Sequence, residues 1–390
     1  MTPQRQTGAI AAFGLTEGWH VAIIVPAKDE ACRIIGCLSA LAASAAWVGD
    51  GRVGIVLVVN NTVDDTATQA CDWALHHRGA ASVLVVDHHF PEFDSGVGHA
   101  RRMGIDLAMR AMPHNGMLLM TDADTLVTPT WIADNLAELY EADVICGQVG
   151  AIADEQAAMP RQISQHGSEE SDYVATALAL AAVLDPLSHD PSPSHHNGAG
   201  ASMAFRKSVY QSVDGMPAIR IGEDRAFVER AEAQDFRIRY SGRPVVRTSC
   251  RMIGRTDGGM AGALRDRRDM PDPPADEWLE PAETFFLRYA LRGALRAVWP
   301  VPGPVAQVLY RFLGSEAAAL REGPEPLYFG AFIQQIEARA QALIRVRMRQ
   351  SDCRRDLPVL QRLLAERLAD PTLDPVRQTA RTADALLVGA

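Results

Sequence analysis

The sequence predicts a doubly wound α/β domain, Rossmann-like, with a mostly parallel central sheet flanked by helices, and three observations point there. Between residues 20 and 150 short runs rich in Val, Ile and Leu alternate with longer amphipathic stretches. The runs lack polar alternation, and unusual polar residues gather just after them. A strand covered on both faces needs apolar residues at successive positions, the pattern of a parallel sheet. In order, the strand runs are His20–Pro26, Val53–Asn60, Ser82–Asp87, Gly116–Thr121 and Asp143–Gln148. Helices are expected between them at Glu30–Ala45, Asp64–His77, Val97–Met112 and Pro129–Tyr140. Thr128 reads as N-cap of the last, with Pro129 at its first position. Ligands of such sheets sit at the carboxyl ends of the strands. There stand Lys28-Asp29-Glu30, Asn60-Asn61 and Asp122-Ala123-Asp124.

The rest of the chain is less regular. A helix is expected at Ser171–Leu184, then a Pro/Ser/His loop over Asp185–His196 and a small-residue stretch, Asn197–Phe205. A helix opens at Glu223-Asp224, and two short strands are expected near Phe236–Tyr240 and Pro244–Thr248. Met270–Ala275, dense in Pro and Asp, reads as a linker; beyond it Phe285–Val298 and Ala331–Arg349 read as helices. The expected organisation is an N-terminal extension (1–19), a first α/β half (20–150), a second half of the same domain (151–268), and a linker with a C-terminal helical region (269–390).

Composition bounds the function. A chain of 390 residues, 47% hydrophobic and 22% charged, is long and apolar enough for a full core, which excludes wholesale disorder. A net charge of −10 argues against sequence-independent nucleic-acid binding, yet a nucleotide fits a small basic or metal-loaded cleft. The six cysteines lie far apart with no C-x-x-C pair, as in a reducing compartment. The apolar patch Ala9–Phe13 is too short and polar for a signal peptide, and no run is long enough to span a bilayer. A cytoplasmic protein is expected. Of 38 basic residues only Lys28 and Lys207 are lysines.

Three polar constellations carry candidate chemistry. Asp122 and Asp124, two residues apart at a strand end, suit a hard divalent ion such as Mg²⁺ or Mn²⁺. Glu223 and Asp224 open a helix, where acidic residues are favoured by the helix dipole alone and where a carboxylate also serves as general base. The loop of Pro26, Lys28, Asp29 and Glu30, with Asn60 and Asn61 after the next strand, suits a nucleotide. Gly96–Arg102 opens a helix with Arg101 and Arg102, guanidinium groups that suit diphosphate oxygens. No G-x-G-x-x-G follows the first strand, no P-loop motif occurs, and Gly198–Ala201 reads GAGA rather than a nucleophile elbow.

Taken together, Pro26–Glu30, Asn60–Asp65, Gly98–Gly104, Asp122–Asp124, Gly198–Arg206 and Gly222–Asp224 occur in an order and spacing that resemble the family 2 glycosyltransferases of the GT-A fold, over about residues 20 to 265. The resemblance implies a nucleotide-sugar-binding half at 20–150 and an acceptor-binding, catalytic half at 151–268. Asp122 and Asp124 would bind metal and diphosphate, and Asp224 would deprotonate the acceptor hydroxyl beside Glu223. His196, Gly198, Ala199 and Gly200 would shape the acceptor or sugar pocket. Thr248–Leu264 resembles the family's segment that closes over the donor. Departures are Asp29 where Asn is common, Asn60-Asn61 where two aspartates are common, and Thr248-Ser249-Cys250-Arg251 where many members place a metal-binding His. His195, His196 or a water would then complete the metal's ligands, or an arginine would take over the charge.

The implied reaction is inverting, metal-assisted transfer from a nucleoside-diphosphate sugar to a hydroxyl; the alternatives are a nucleotidyltransferase or a catalytically silent nucleotide-sugar binder. Trp131, Tyr173 and Trp278 are candidates for stacking on sugar faces, with burial as the simpler role. Arg288, Arg292 and Arg296 recur at i, i+4, i+8. That stripe reads as a solvated face of a packed helix, as peripheral membrane contact, or as a homodimer interface.

Overall fold

The computed structural model describes residues 9–15, 17–49, 52–77, 79, 81–92, 95–254, 259–320 and 326–376. The strands are β1 (Ala9–Phe13), β2 (Val21–Ala27), β3 (Val53–Asn60), β4 (Ser82–His88), β5 (Met117–Met120), β6 (Thr125–Val127), β7 (Val144–Ala151), β8 (Met203–Arg206) and β9 (Ile238–Thr248). The helices up to β9 are α1 (Ile34–Val48), α2 (Thr66–His76), α3 (Val97–Ala111), α4 (Trp131–Glu138), α5 (Ala153–Ala157), α6 (Arg161–Leu184), α7 (Lys207–Ser212) and α8 (Glu223–Ala233). After it come α9 (Gly259–Asp269), α10 (Ala282–Arg296), α11 (Pro302–Leu313), α12 (Glu316–Leu320), α13 (Phe329–Arg339) and α14 (Gln350–Ala369). The chain divides into two compact units, one of Met1–Ala158, His196–Glu232 and Phe236–Gly262, the other of Met159–His195, Ala233–Asp235 and Ala263–Ala390.

The first unit holds one nine-stranded sheet of order β1-β4-β3-β2-β5-β8-β7-β9-β6. Its central block, β4-β3-β2-β5, is wholly parallel, and every residue of β2 and β3 is buried. The uninterrupted Val/Ile/Leu runs expected from the sequence are therefore those covered on both faces, Ile23 and Ile55 on one side and Ile24 and Val56 on the other. Strand order reverses between β2 and β5. Because both chains leave the sheet at the same edge there, a crevice opens between their carboxyl ends. β8 lies antiparallel to β5 with Met203 opposite Met120, so the residues before β8 also arrive at that edge. Further out, β7 and β9 run parallel until Ala151 meets Thr248, which brings the chain after β9 to the same end.

Several expectations are corrected. Ala9–Phe13, part of the expected extension, is an edge strand paired antiparallel to β4. The helix expected from Pro129 begins at Trp131 with Thr130 at its N-cap, and Thr128 contributes its carbonyl to Trp131 rather than a side-chain cap. The two strands near 236–248 are one, β9, with a register shift opposite Gly147/Gln148 that Gly242 and Pro244 accommodate. The boundary near 150 also moves, since 159–195 belongs to the second unit.

In the second unit α6 packs with α10 and α14 around Tyr173, Phe285 and Phe286. The expected helix Ala331–Arg349 is broken: α13 ends at Arg339, and a new helix starts at Gln350 after a capping box formed by Arg349 and Asp352. The Arg288/Arg292/Arg296 stripe is not an unpaired solvated face, although the Arg296 side chain keeps 42% exposure. Arg288 is 1% exposed and forks onto Glu280, Arg292 pairs with Glu337, and Arg296 pairs with Asp185. Its three charges are each spent on a carboxylate within the unit. Among the described residues no helix is long and apolar enough to cross a membrane, and all six cysteines are free.

Candidate active site

The chain leaving β2 turns sharply. Pro26 is still within the strand, opposite Val58, and Lys28 is half-buried. Asp29 adopts φ of +52°, a left-handed conformation that short polar residues tolerate. Its carboxylate accepts the Val63 N–H at 2.8 Å, and Thr62 takes its own N–H, so Asp29 stitches the β2 loop to the β3 loop. Glu30 follows, 3% exposed, with its N–H on Thr66 Oγ1. After β3, Asn60 is buried and Asn61 sits at φ of +50°. The Asn61 amide donates to the Phe90 carbonyl and accepts the Phe90 N–H. That reciprocal pair ties down the chain after β4.

The carboxyl end of β5 delivers Asp122 and Asp124. Arg101, on α3 and 3% exposed, donates from Nη2 to Asp122 Oδ1 at 2.6 Å and from Nη1 to Glu223 at the start of α8. One guanidinium thus joins the β5 loop to the acidic pair that opens α8, with Arg101 and Glu223 standing 122 residues apart in sequence. Gly98 makes this approach possible: a Cβ there would lie 2.4 Å from the Ile219 carbonyl and 3.0 Å from Glu223. Gly200 presses on the guanidinium itself, where a Cβ would sit 2.1 Å from Arg101 Nη1. The Gly200 N–H donates to Asp224 Oδ2 and the Arg225 N–H to Asp224 Oδ1, both at 2.8 Å, which fixes the half-buried Asp224 carboxylate. Burial raises the Glu223 carboxyl above its ordinary range; Arg101 opposes this and Asp224 adds to it.

Opposite Arg101 stands a second guanidinium. Arg251, just past β9, forks onto Glu30 at 2.7 and 2.5 Å and reaches Asp124 Oδ2 at 3.1 Å. Asp124 also receives the Thr248 hydroxyl at 3.4 Å. Burial, then Asp122, push the Asp124 carboxyl up to about 6, with Arg251 pulling the other way. Glu155 braces the chain that carries Arg251, accepting from Ser249 Oγ and Cys250 N–H while pairing with Arg33. The sequence offered no signal for Glu155, which lies in the short α5. Only the parallel register of β7 with β9 brings it to the turn.

The sequence-based expectation of Mg²⁺ or Mn²⁺ at Asp122 and Asp124 can be tested on this donor set. Each carboxylate already carries a guanidinium, and no group of three His, Cys, Asp or Glu side chains able to hold a metal ion occurs among the described residues. As arranged, the residues do not fit a resident divalent ion. His196 stacks on Tyr240 with ring centroids 5.1 Å apart. Gly198 and Ala199 lie with Gly200 in the loop before β8. Arg102 donates to the Met216 carbonyl and lines a cavity of about 450 Å³ with His88, Phe90 and His99, apart from the aspartates. Trp131 is fully buried with its indole N–H on Ser202, and the Tyr173 hydroxyl donates to the Glu280 carbonyl, so both are core residues. Of the segment Thr248–Leu264, residues 255–258 lie outside the described residues.

Residues 22–211 match the family model described as Glycosyl transferase family 2. No curated protein matches the chain. Among solved structures, the chain is similar to a mannosyltransferase, PcManGT from Pyrobaculum calidifontis in complex with GDP-Man and Mn²⁺. Identity is 17% and the TM-score 0.45, with 96% of this chain and 81% of that chain covered. It is similar to S. aureus TarS 1-349 in complex with UDP (15% identity, TM-score 0.42, 95% and 92% covered). A further likeness is to glucosyl-3-phosphoglycerate synthase from Mycobacterium tuberculosis with Mn²⁺, UDP and phosphoglyceric acid (15% identity, TM-score 0.38, 64% and 78% covered).

Proposed function

We propose that this chain, whose residues 22–211 match the glycosyl transferase family 2 model, moves a sugar from a nucleoside-diphosphate donor to an acceptor hydroxyl with inversion, Asp224 acting as general base. The observation that carries the reading is Arg101, whose two terminal nitrogens hold Asp122 and Glu223 at one crevice. The donor loop and the helix bearing the base therefore meet at the switch point of the sheet, where α/β domains bind ligands.

The chemistry follows from that convergence. Pro26, Lys28, Asp29, Glu30, Asn60 and Asn61 shape the nucleotide end, with Asn61 acting by bracing Phe90. The Asp122 loop, with Arg101 and Arg251 beside it, serves the diphosphate, whereas Arg102, turned to the Met216 carbonyl, does not take the diphosphate role expected of it. Two backbone N–H groups leave each Asp224 oxygen a further lone pair, so the carboxylate is aimed while still able to accept a proton. Asp224 takes the acceptor's proton as its oxygen attacks the anomeric carbon. The bond to the diphosphate breaks on the opposite face, and its electron pair leaves with the nucleotide. His196, Gly198, Ala199 and Gly200 bound the sugar or acceptor side. Holding both reactants in one crevice supplies the proximity contribution.

The test is thermal-shift screening against nucleotide sugars, followed by product analysis with the donor that stabilises. Stabilisation grows with ligand concentration over Kd. The Asp224→Asn protein is expected to bind that donor as the parent does while transferring sugar far more slowly. Normal transfer by the variant would remove Asp224 from the role of base.

A further inference from the structure

Arg101 and Arg251 both contact the Asp122–Asp124 loop, but they differ in how open they are to solvent. Arg101 is 3% exposed, its terminal nitrogens on Asp122 and Glu223 and its Nε–H buried without a partner among the described residues. Arg251 has a side chain 23% exposed. A guanidinium carries five N–H donors. Three of Arg251's go to Glu30 and Asp124, and two have no partner among the described residues. Its anchor is rigid, because the Glu30 side chain is only 4% exposed and the Glu30 N–H is held by Thr66. The Arg251 N–H is itself taken by Ser249 Oγ, and Ser249 is held by Glu155.

We propose that Arg251 is the diphosphate-binding cation of this site, seated on Glu30 and Asp124 where a divalent ion would otherwise be held, so that donor binding does not depend on a metal. The proposal rests on the reading of the crevice as a nucleotide-sugar site and goes beyond it by naming the source of positive charge. With its fork held on Glu30, the guanidinium offers its remaining N–H donors singly to phosphate oxygens, and a fixed, half-buried one needs little reorganisation as charge builds on the leaving group. A metal entering here would have to separate Arg251 from Asp124, and among the described residues no group of three ligating side chains stands ready to offset the loss.

The experiment is calorimetric titration of the full-length protein with UDP and with GDP, in EDTA and in Mn²⁺, alongside electron paramagnetic resonance of free and bound Mn²⁺. For the nucleotide that binds, the expected Kd differs by less than about threefold between EDTA and Mn²⁺, with no bound-Mn²⁺ signal above that of the free nucleotide complex. Arg251→Met is expected to weaken binding by about tenfold or more, the scale of a lost charge-assisted hydrogen bond. Arg251→Lys, which keeps the charge but loses the fork, should fall between. Circular dichroism establishes whether each variant is folded; if Arg251→Met is not, the parent's metal titration and the lysine variant decide. Binding that appears only with Mn²⁺ overturns the Arg251 assignment and leaves the glycosyltransferase reading intact, as does tight binding by a folded Arg251→Met. Failure of both nucleotides in both conditions overturns the reading of the crevice as a uridine or guanosine diphosphate site, and with it the Arg251 assignment.

Discussion

Arg288 and Arg251 each fork onto a buried glutamate, Arg288 through Nε and Nη2 and Arg251 through Nη1 and Nη2, yet the two networks do opposite jobs. Arg288 donates to both oxygens of Glu280 at 2.7 Å, to the Leu343 carbonyl at 2.6 Å and to Glu337 at 3.0 Å, and is 1% exposed. Burial alone would raise the Glu337 carboxyl, but Arg292 and Arg288 hold it below the ordinary carboxylate range. That network is saturated and closed to solvent, a cross-brace between α10, α13 and the turn at Leu343. The Arg251 network stands at the edge of a sheet, is open to solvent, and faces a carboxylate, Asp124, that burial and then Asp122 push up against the pull of Arg251. A balanced ion cluster specifies packing; an unbalanced one at a strand end is poised for a ligand.

The comparison can be broken first at the chemistry. Asp224→Asn is expected to lower the rate of sugar transfer by about 10²–10⁴-fold, the usual range for a general base, with donor Kd unchanged and a small fall in melting temperature, since the amide keeps one acceptor oxygen for two backbone N–H groups. A single-turnover assay read against calorimetry separates the two. Next, Arg288→Met leaves Glu280 buried without its partner and Glu337 with Arg292 alone, and should cost roughly 3–5 kcal/mol in unfolding. Chemical denaturation followed by circular dichroism would show it, and the donor affinity of the folded fraction should not move. Should Arg288→Met instead weaken the donor while leaving stability alone, the contrast drawn between the two networks is wrong.

A smaller effect sharpens the contrast within the site. Gly200→Ala places a methyl against the Arg101 guanidinium, which cannot yield because both its ends are bound, so roughly 1–3 kcal/mol of strain is expected. Since the same residue's N–H aims Asp224, transfer should suffer more than donor binding. The smallest effect is in pH. Asp124 titrates near 6 in the folded protein against an ordinary 3.8, so the folded state retains its proton over a window where the unfolded chain has lost it. Stability from this group is therefore present below about pH 4 and lost as pH rises through 6. Asp124→Asn should accordingly gain about 1–2 kcal/mol over the parent at pH 7.5, with the difference vanishing below pH 4.

Much of the first unit was legible in the sequence because its signals are local. The runs at β2 and β3 are apolar at every position, and that alone marks strands covered on both faces. Glu223-Asp224 opens a helix where placed, after Gly222 at φ of +81°. Errors gather where a distant partner overrides a local pattern. Ala9–Phe13 is a strand because β4 offers it an edge, and β9 stays continuous through Gly242 and Pro244 because β7 pairs with it on both sides of the shift. The stripe of Arg288, Arg292 and Arg296 has a helical period that looks like a solvated face. Its partners Glu337 and Asp185 stand 45 and 111 residues away from Arg292 and Arg296, where periodicity has no reach.

By itself the sequence determined which residues reach the carboxyl edge of the sheet, since strand ends follow from local apolar runs and the turn residues after them. Tertiary structure alone decided what those residues do to one another. That Arg101 joins Asp122 to Glu223, and that Arg251 closes on Glu30 across 221 positions, follows from strand order and register. Hydrogen bonds and ion pairs act over a few ångströms of space, and chain distance carries no information about them until the sheet has been assembled.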